Sequence, residues 1–182
     1  MARLLMGIVM PEIDIIKGFQ IDEPHVFIPW DIEESELIHL LEKYYLRKVT
    51  EGYYCISCKS LGGLSLELGF HFKTKIDENR NKELEDYMKS IGTIVKKIGP
   101  THDSKNTGKL KELEFFRKAY PDLKKSFDEF QLFIEKAFGQ PTLSEKGGEG
   151  FQHYEWKFKE IRIYHYVLDR FGPEEHMKII KA

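Results

Sequence analysis

The chain has 182 residues, 41% hydrophobic and 32% charged, which suits one globular domain over residues 1–182 with a sizeable core. The formal net charge of −2 argues against a dedicated nucleic-acid binder, which normally carries a strong basic excess. Its two cysteines form no disulfide framework, and no run approaches the ~18 apolar residues of a membrane span. We therefore expect a cytoplasmic protein that binds neither nucleic acid nor membranes.

Charge is distributed unevenly along the chain. Residues 1–72 carry 6 basic and 11 acidic side chains, a net charge of −5, whereas residues 73–136 have a net charge of +3. An acidic first third would suit a basic partner, and a solvated surface is the simpler alternative.

The first half predicts one helix followed by two strands. Asp31 begins a capping pattern, and apolar residues then recur at helical spacing to predict a helix over residues 32–45. Residues 52–59 are rich in Tyr, Cys and Ile, and residues 64–72 alternate strictly between apolar and polar side chains. Such alternation indicates a strand with one buried and one polar face.

The second half predicts helices first and strands last. Apolar stripes indicate helices over residues 84–98 and 110–120, and a capping box at Ser126–Glu129 opens a third that Gly139 closes. The tail then alternates as a strand pair and a final short strand, over residues 154–180.

This order predicts an α+β fold, with a mainly antiparallel sheet covered on one face by three to four helices. The succession of helix, strand and strand occurs at residues 32–72 and again at 126–168. Both a duplicated unit and two independent arrangements would produce that order.

Cys55 and Cys58 form a C-x-x-C pattern, but they lie in a predicted strand. Residues three apart in a strand point to opposite faces, so their sulfurs would not share a site. A tetrahedral zinc site would also need further ligands that the sequence does not place nearby. We therefore expect two packed thiols.

Three histidines fall on predicted strands and could converge if those strands are neighbours. His71, His153 and His165 would then form a metal or acid–base site, with Glu67 as the first carboxylate to join it. The alternative is three unrelated strand histidines. No local motif of a hydrolase or nucleotide-binding enzyme is present, which lowers the expectation of catalysis, and no cofactor is expected.

Aromatic and basic side chains interleave in the tail, around His153 and Trp156. Such a surface could stack single-stranded nucleic acid, but Glu155 and Glu160 dilute the charge and no RNP-like pattern is present. We prefer the interpretation that these rings belong to the core or to a protein interface, where Trp, Tyr and Arg are favoured.

Three segments form a recognisable layout: Ile28–Asp31 before a helix, Gly62–Leu64 before an alternating strand, and Phe138–Pro141 before the aromatic tail. They cover most of the chain as a pattern and contain no diagnostic motif. This layout resembles a loose group of small bacterial proteins that includes immunity proteins of polymorphic toxin systems. The resemblance implies a protein that occludes a toxin and has no catalysis of its own.

Three hypotheses follow. The leading one is a protein-binding module of immunity type, with Glu67, His71, His153, Trp156 and His165 as candidate binding residues. The second is an enzyme or metal-binding protein that uses the strand histidines. The third is a structural homodimer built on the tail strands.

Overall fold

The computed structural model describes residues 14–73, 108–117, 122–169 and 172–181. These residues form two α-helices, α1 (Glu34–Leu41) and α2 (Leu123–Phe138), and short 3₁₀ turns at Glu42–Tyr44 and Gly148–Gly150. They also form ten strands: β1 (Gly18–Glu23), β2 (Val26–Pro29), β3 (Arg47–Thr50), β4 (Tyr53–Ser60), β5 (Leu64–Phe72), β6 (Leu110–Phe116), β7 (Leu143–Lys146), β8 (Gln152–Phe158), β9 (Ile161–Asp169) and β10 (Pro173–Lys181).

The ten strands belong to one sheet, in which every described pairing is antiparallel. Its order is β2-β1-β4-β5-β6-β10-β9-β8-β7, and β3 pairs with the part of β4 that β1 leaves free. β6 and β10 meet at the centre, where Glu114 lies opposite Lys178. Each half of the sheet contains a helix followed in sequence by four strands, β3 to β6 after α1 and β7 to β10 after α2, and each series runs from the edge inward to the central pair.

The sheet has one face covered by helices and one that the described elements leave uncovered. Even-numbered residues of β5, from Leu64 to Phe72, point to the covered side and are buried. Leu37 and Leu41 of α1 join the same core, as do Phe130 and Ile134 of α2. Because side chains alternate along a strand, the odd-numbered residues of β5 face the other way.

Local signals set the ends of both helices. The Glu36 side chain accepts a hydrogen bond from the Glu33 backbone N–H at 2.9 Å, at the start of α1. The Asp122 side chain accepts one from the Lys125 N–H at the start of α2, and Gly139 ends that helix with a φ of +78°. Such contacts satisfy backbone groups that lack a partner within the helix. Neither helix in the described ranges is long and apolar enough to cross a membrane.

The predicted fold class is wrong in its balance of helix and sheet. The described residues contain a ten-stranded sheet with only two helices, instead of a sheet under three to four helices. The segment predicted as a helix over 110–120 begins with the strand Leu110–Phe116, which pairs with both β5 and β10. The helix predicted over 84–98 lies outside the described residues.

Candidate functional site

The side of the sheet that the described helices leave uncovered carries a continuous band of polar and aromatic side chains. We call this side the open face. Across β4, β5, β6, β10, β9 and β8 its members are Tyr53, Cys55, Glu67, His71, Glu112, Glu114, His176, Lys178, Tyr164, Tyr166, His153 and Glu155.

A cluster of four ionisable side chains lies at the middle of the open face. His71 Nε2 donates a hydrogen bond to Glu114 Oε2 at 3.0 Å. Lys178 Nζ lies 2.8 Å from Glu112 Oε1 and 3.3 Å from Glu114 Oε1. Both carboxylates are mostly buried, with side-chain exposures of 15% for Glu112 and 13% for Glu114. The cluster thus holds two poorly solvated carboxylates between an ammonium and an imidazole.

Antiparallel register brings these side chains together. Glu112 lies directly opposite His71 on β5, and Glu114, two residues along β6, lies opposite Lys178 on β10. Residues two apart share a face of the sheet, so both glutamates point to the same side. A site built on three central, hydrogen-bonded strands is rigid at its base.

Opposing electrostatic effects act on this cluster. Burial alone would raise the pKa of Glu114, but the hydrogen bond from His71 and the charge of Lys178 lower it below its usual range. Burial would likewise lower the pKa of Lys178, and its contacts with Glu112 and Glu114 raise it instead. The carboxylate of Glu114 and the ammonium of Lys178 are therefore both held in their charged forms near neutral pH.

An aromatic ring holds His71 in place. The Tyr53 ring stacks on the His71 imidazole with centroids 4.1 Å apart and planes 10° apart. Room for the tyrosine comes from Gly69, where a Cβ would approach Tyr53 Cε2 to 2.9 Å. The stack orients the imidazole toward Glu114 and restricts its rotation.

A second aromatic group continues the band toward the tail strands. Tyr166 stacks on His176 at 5.3 Å between centroids, and His153 lies 5.4 Å from Tyr166. His176 Nδ1 is also 4.0 Å from Glu114 Oε1, so this group adjoins the central cluster.

Two of the predicted site residues belong to the β5 part of the open face, and a third lies at its far side. His71 is in the central cluster, whereas Glu67 instead pairs with Arg47 at 3.1 Å. His153 is on β8, and its Nδ1 lies 3.7 Å from Glu145 on the edge strand β7. Strands β6, β10 and β9 separate it from His71.

The other two predicted residues, Trp156 and His165, lie on the covered face. Trp156 is fully buried and its indole N–H donates to the Gly139 carbonyl at 2.9 Å. His165 is also fully buried, between helix α2 and the sheet. The structure therefore does not bring His71, His153 and His165 together, because the alternation of β9 turns His165 to the opposite side.

His165 belongs to a buried polar network. Its Nδ1 hydrogen-bonds with the Gln131 side chain at 2.7 Å, and its Nε2 with Glu175 Oε1 at 3.0 Å. Ser126 Oγ donates to the other oxygen of Glu175 at 2.6 Å. The ring also stacks on Phe127 with centroids 4.1 Å apart. This network ties α2 to β9 and β10, which is a structural role.

Cys55 and Cys58 are free, buried thiols on opposite sides of β4, as their spacing predicts. Burial raises the pKa of Cys58 to about 12 and also raises that of Cys55. A thiol with a raised pKa forms little thiolate and reacts slowly.

A further surface feature surrounds helix α1. A shallow concavity of about 360 Å³ is lined by Glu33, Glu34, Ser35, Ile38 and Gly108. Beyond the helix, Tyr45 follows the 3₁₀ turn with 94% of its surface exposed and a φ of +62°. We call Glu33, Glu34, Ile38, Glu42 and Tyr45 the α1 surface. It presents carboxylates beside two exposed apolar side chains.

Sequence reasoning missed the two glutamates of the central cluster and Tyr45. Glu112 and Glu114 alternate with Leu113 and Phe115, which is a strand pattern, but the spacing of Leu110 and Leu113 also fits a helix. Nothing in the sequence around Tyr45 predicts its exposure or its left-handed backbone.

We compared the chain with protein-family models, with curated proteins and with solved structures. No family model, no curated protein and no solved structure matches it.

Proposed function

We propose that this chain is a protein-binding module whose α1 surface takes a basic protein partner, in the manner of an immunity protein that occludes a toxin. The observation that carries the proposal is Tyr45, a 94% exposed tyrosine in a left-handed conformation beside an acidic helix. Backbone strain at an exposed aromatic residue is a reason to infer function at that position.

Tyr45 costs stability where it stands. A non-glycine residue in the left-handed region is disfavoured by roughly 1–2 kcal/mol, and an exposed ring gains no burial in return. Tyrosine is among the residues that most often dominate binding energy, since it buries a large area with few rotatable bonds. A partner that covers Tyr45 would supply the burial that the isolated chain lacks.

Apolar and acidic side chains alternate along this edge of the molecule. Ile38 is 36% exposed and lies one helical turn before Glu42, which is followed one 3₁₀ turn later by Tyr45. Glu34 lies one turn before Ile38. Apolar anchors inside a polar rim are the usual composition of a protein interface.

Charge indicates the chemistry of the partner. Residues 31–36 contain Asp31, Glu33, Glu34 and Glu36 and no cationic side chain. Negative side chains are favoured at this position, because the N-terminus of a helix is the positive end of its dipole. A basic surface would be attracted to these carboxylates, and the attraction would accelerate association and weaken with salt.

The test is a titration of the full chain with a basic protein encoded beside its gene, prepared in an inactive form if it is toxic. We expect Tyr45→Gly to weaken binding by about 30-fold or more, as for an interface hot spot. Glu42→Gln should weaken it less, and should reduce the dependence of affinity on salt.

Leu132→Ala is the matched control, since Leu132 is a 68% exposed apolar residue of α2 and is not part of the α1 surface. Its affinity should equal that of the wild type. Tyr45→Gly should be at least as stable as the wild type, which separates lost binding from lost folding. Equal affinity of Tyr45→Gly and wild type, or loss of affinity in Leu132→Ala, would contradict the proposal, and so would the absence of binding by any basic neighbour.

The narrower proposal of an immunity protein is tested in cells. Co-expression with the active partner should restore growth, and Tyr45→Gly should not. We also propose a cytoplasmic location, supported by the two free cysteines, because free thiols are typical of reducing compartments. The homodimer built on the tail strands remains an alternative, and a dimeric mass that Tyr45→Gly leaves unchanged would favour it.

A further inference from the structure

We propose that His71, Glu112 and Glu114 form a binding site for a divalent transition-metal ion of the zinc class at the centre of the open face. The site goes beyond the proposed function, since it lies on the opposite side of the sheet from α1. It combines the one imidazole and two carboxylates that the register of β5 and β6 brings together.

The donor atoms are close enough for one ion. One ligand atom from each of the three residues lies within 4.8 Å of the other two. Ligands at ~2.0–2.2 Å around a tetrahedral ion are roughly 3.3–3.6 Å apart, so binding needs only small side-chain rotations. The pair His71 and Glu114 is already at 3.0 Å, which leaves Glu112 as the ligand that moves.

The site also has the support that metal ligands usually receive. Tyr53 stacks on His71 at 4.1 Å and limits the imidazole to a narrow range of orientations. All three ligands arise from adjacent strands of the sheet, not from loops. A preorganised set of ligands loses less entropy when it binds an ion.

Donor type selects the ion. Imidazole nitrogen suits zinc and other first-row transition metals, whereas magnesium and calcium prefer oxygen ligands alone. Three protein ligands leave a fourth position open to water or to an exogenous group, as in zinc sites that react with or bind a further ligand.

Lys178 competes with the ion. Its Nζ lies 2.8 Å from Glu112 Oε1 and 3.3 Å from Glu114 Oε1. The ammonium thus supplies one positive charge at the position where the metal ion would supply two. The long lysine stem allows the ammonium to move out to solvent when an ion arrives. Lys178 would therefore weaken metal binding, and its removal should strengthen it.

The experiment is a calorimetric titration of the chelator-treated full chain with Zn²⁺ at pH 7.5. We expect one ion per chain at this site. His71→Phe keeps a ring against Tyr53 but removes the ligand, and should weaken binding by about 100-fold or more, since even changes to residues around a metal site cost about 10–100-fold. Glu112→Gln and Glu114→Gln should each weaken it similarly, and they decide the outcome if His71→Phe does not fold.

His153→Gln is the control, since His153 shares the open face but lies outside the cluster. It should bind Zn²⁺ as the wild type does. Lys178→Met should bind about tenfold more tightly, because a neighbouring positive charge is removed. Absence of Zn²⁺ binding, affinity unchanged in the three ligand variants, or weaker binding in Lys178→Met would each overturn the proposal.

Discussion

Replacing His165 with phenylalanine tests the buried network that joins helix α2 to the sheet. Phenylalanine keeps a ring to stack on Phe127 and removes the two polar contacts of the imidazole. Glu175 then retains Ser126 as a partner but loses His165, and the Gln131 amide loses its contact with the imidazole. The variant therefore isolates the contribution of the polar contacts.

The expected cost follows from burial. His165 is fully buried, and the side chain of Glu175 is only 9% exposed. Leaving the Glu175 carboxylate and the Gln131 amide without this partner costs about 3–5 kcal/mol together, because a buried polar group that loses its hydrogen bond costs about 1–3 kcal/mol and a charged one more. Burial of the more apolar phenylalanine ring stabilises the folded variant by about 1–2 kcal/mol. We expect a net loss of about 2–3 kcal/mol, or a decrease in Tm of roughly 5–10 °C for a domain of this size.

Intrinsic tryptophan fluorescence during urea unfolding is a suitable assay. Trp30 and Trp156 are the two tryptophans of the chain, and both are buried, so unfolding moves each into water. The midpoint should shift without a change in slope, which indicates altered stability and not altered compactness.

The difference in stability between the wild type and His165→Phe should depend on pH. Burial lowers the pKa of His165 below its ordinary value of 6.5, against the opposing effect of Glu175. The unfolded chain thus takes up a proton that the folded chain excludes, so this contribution to wild-type stability is present above pH 6.5 and lost as the pH falls. The Phe variant lacks this pH dependence. The difference in free energy of unfolding between the wild type and the variant should therefore be smaller at pH 5.5 than at pH 7.5.

A double variant provides a further test of the cost calculated for His165→Phe. His165→Phe combined with Glu175→Gln removes the charge as well as its partner, and Ser126 can still donate to the new amide. The double variant should recover part of the loss. Stability of His165→Phe within about 0.5 kcal/mol of wild type at pH 7.5, or a double variant less stable than the single one, would refute this account.

Three further predictions concern packing, backbone strain and thiol reactivity. Gly18→Ala should destabilise the protein by about 3 kcal/mol in urea unfolding, because its Cβ would approach the Ile28 carbonyl oxygen to 2.3 Å; an unchanged midpoint would contradict that contact. Lys159→Gly should stabilise it by up to about 1 kcal/mol, since Lys159 has a φ of +53° in the turn between β8 and β9, and a lower Tm would show that the lysine is not strained. Cys55 and Cys58 should react with a disulfide reagent at pH 8 only when the protein unfolds, and rapid reaction of the native protein would contradict their raised pKa values.

Strong local patterns were enough to predict several elements. The alternation of residues 64–72 predicts β5 at its observed bounds, and residues 52–59 match β4 within one residue. Gly139 ends α2 as predicted, although the helix begins earlier, at Leu123. Residues 64–72 and the sequence of α2 each have one dominant period, and residues 52–59 are rich in side chains that favour strands, so local propensity and packing agree.

The candidate sites were less accessible to sequence reasoning. The polar face of β5 indicated Glu67 and His71, but their partners Arg47, Glu112 and Glu114 depend on which strands lie beside β5. Strand order is decided by long-range pairing, and one sequence has no local signal for it.

Residues 110–116 show most clearly where the sequence alone does not predict the secondary structure. Leu110 and Leu113 fit a helix, while Glu112, Leu113, Glu114 and Phe115 fit a strand, and seven residues are too few to choose. Pairing with β5 on one side and β10 on the other decides for the strand, because only a strand satisfies both ladders at the centre of the sheet.

The amino-acid sequence by itself determined the local elements with strong periodicity, the acidic character of the α1 region and the separation of Cys55 from Cys58. Only the tertiary structure decided that β6 is a strand, that His165 faces α2 and that His71 meets Glu112 and Glu114. The reason is physical: periodicity is a property of neighbours along the chain, whereas register and the choice of face depend on strands that are distant in sequence.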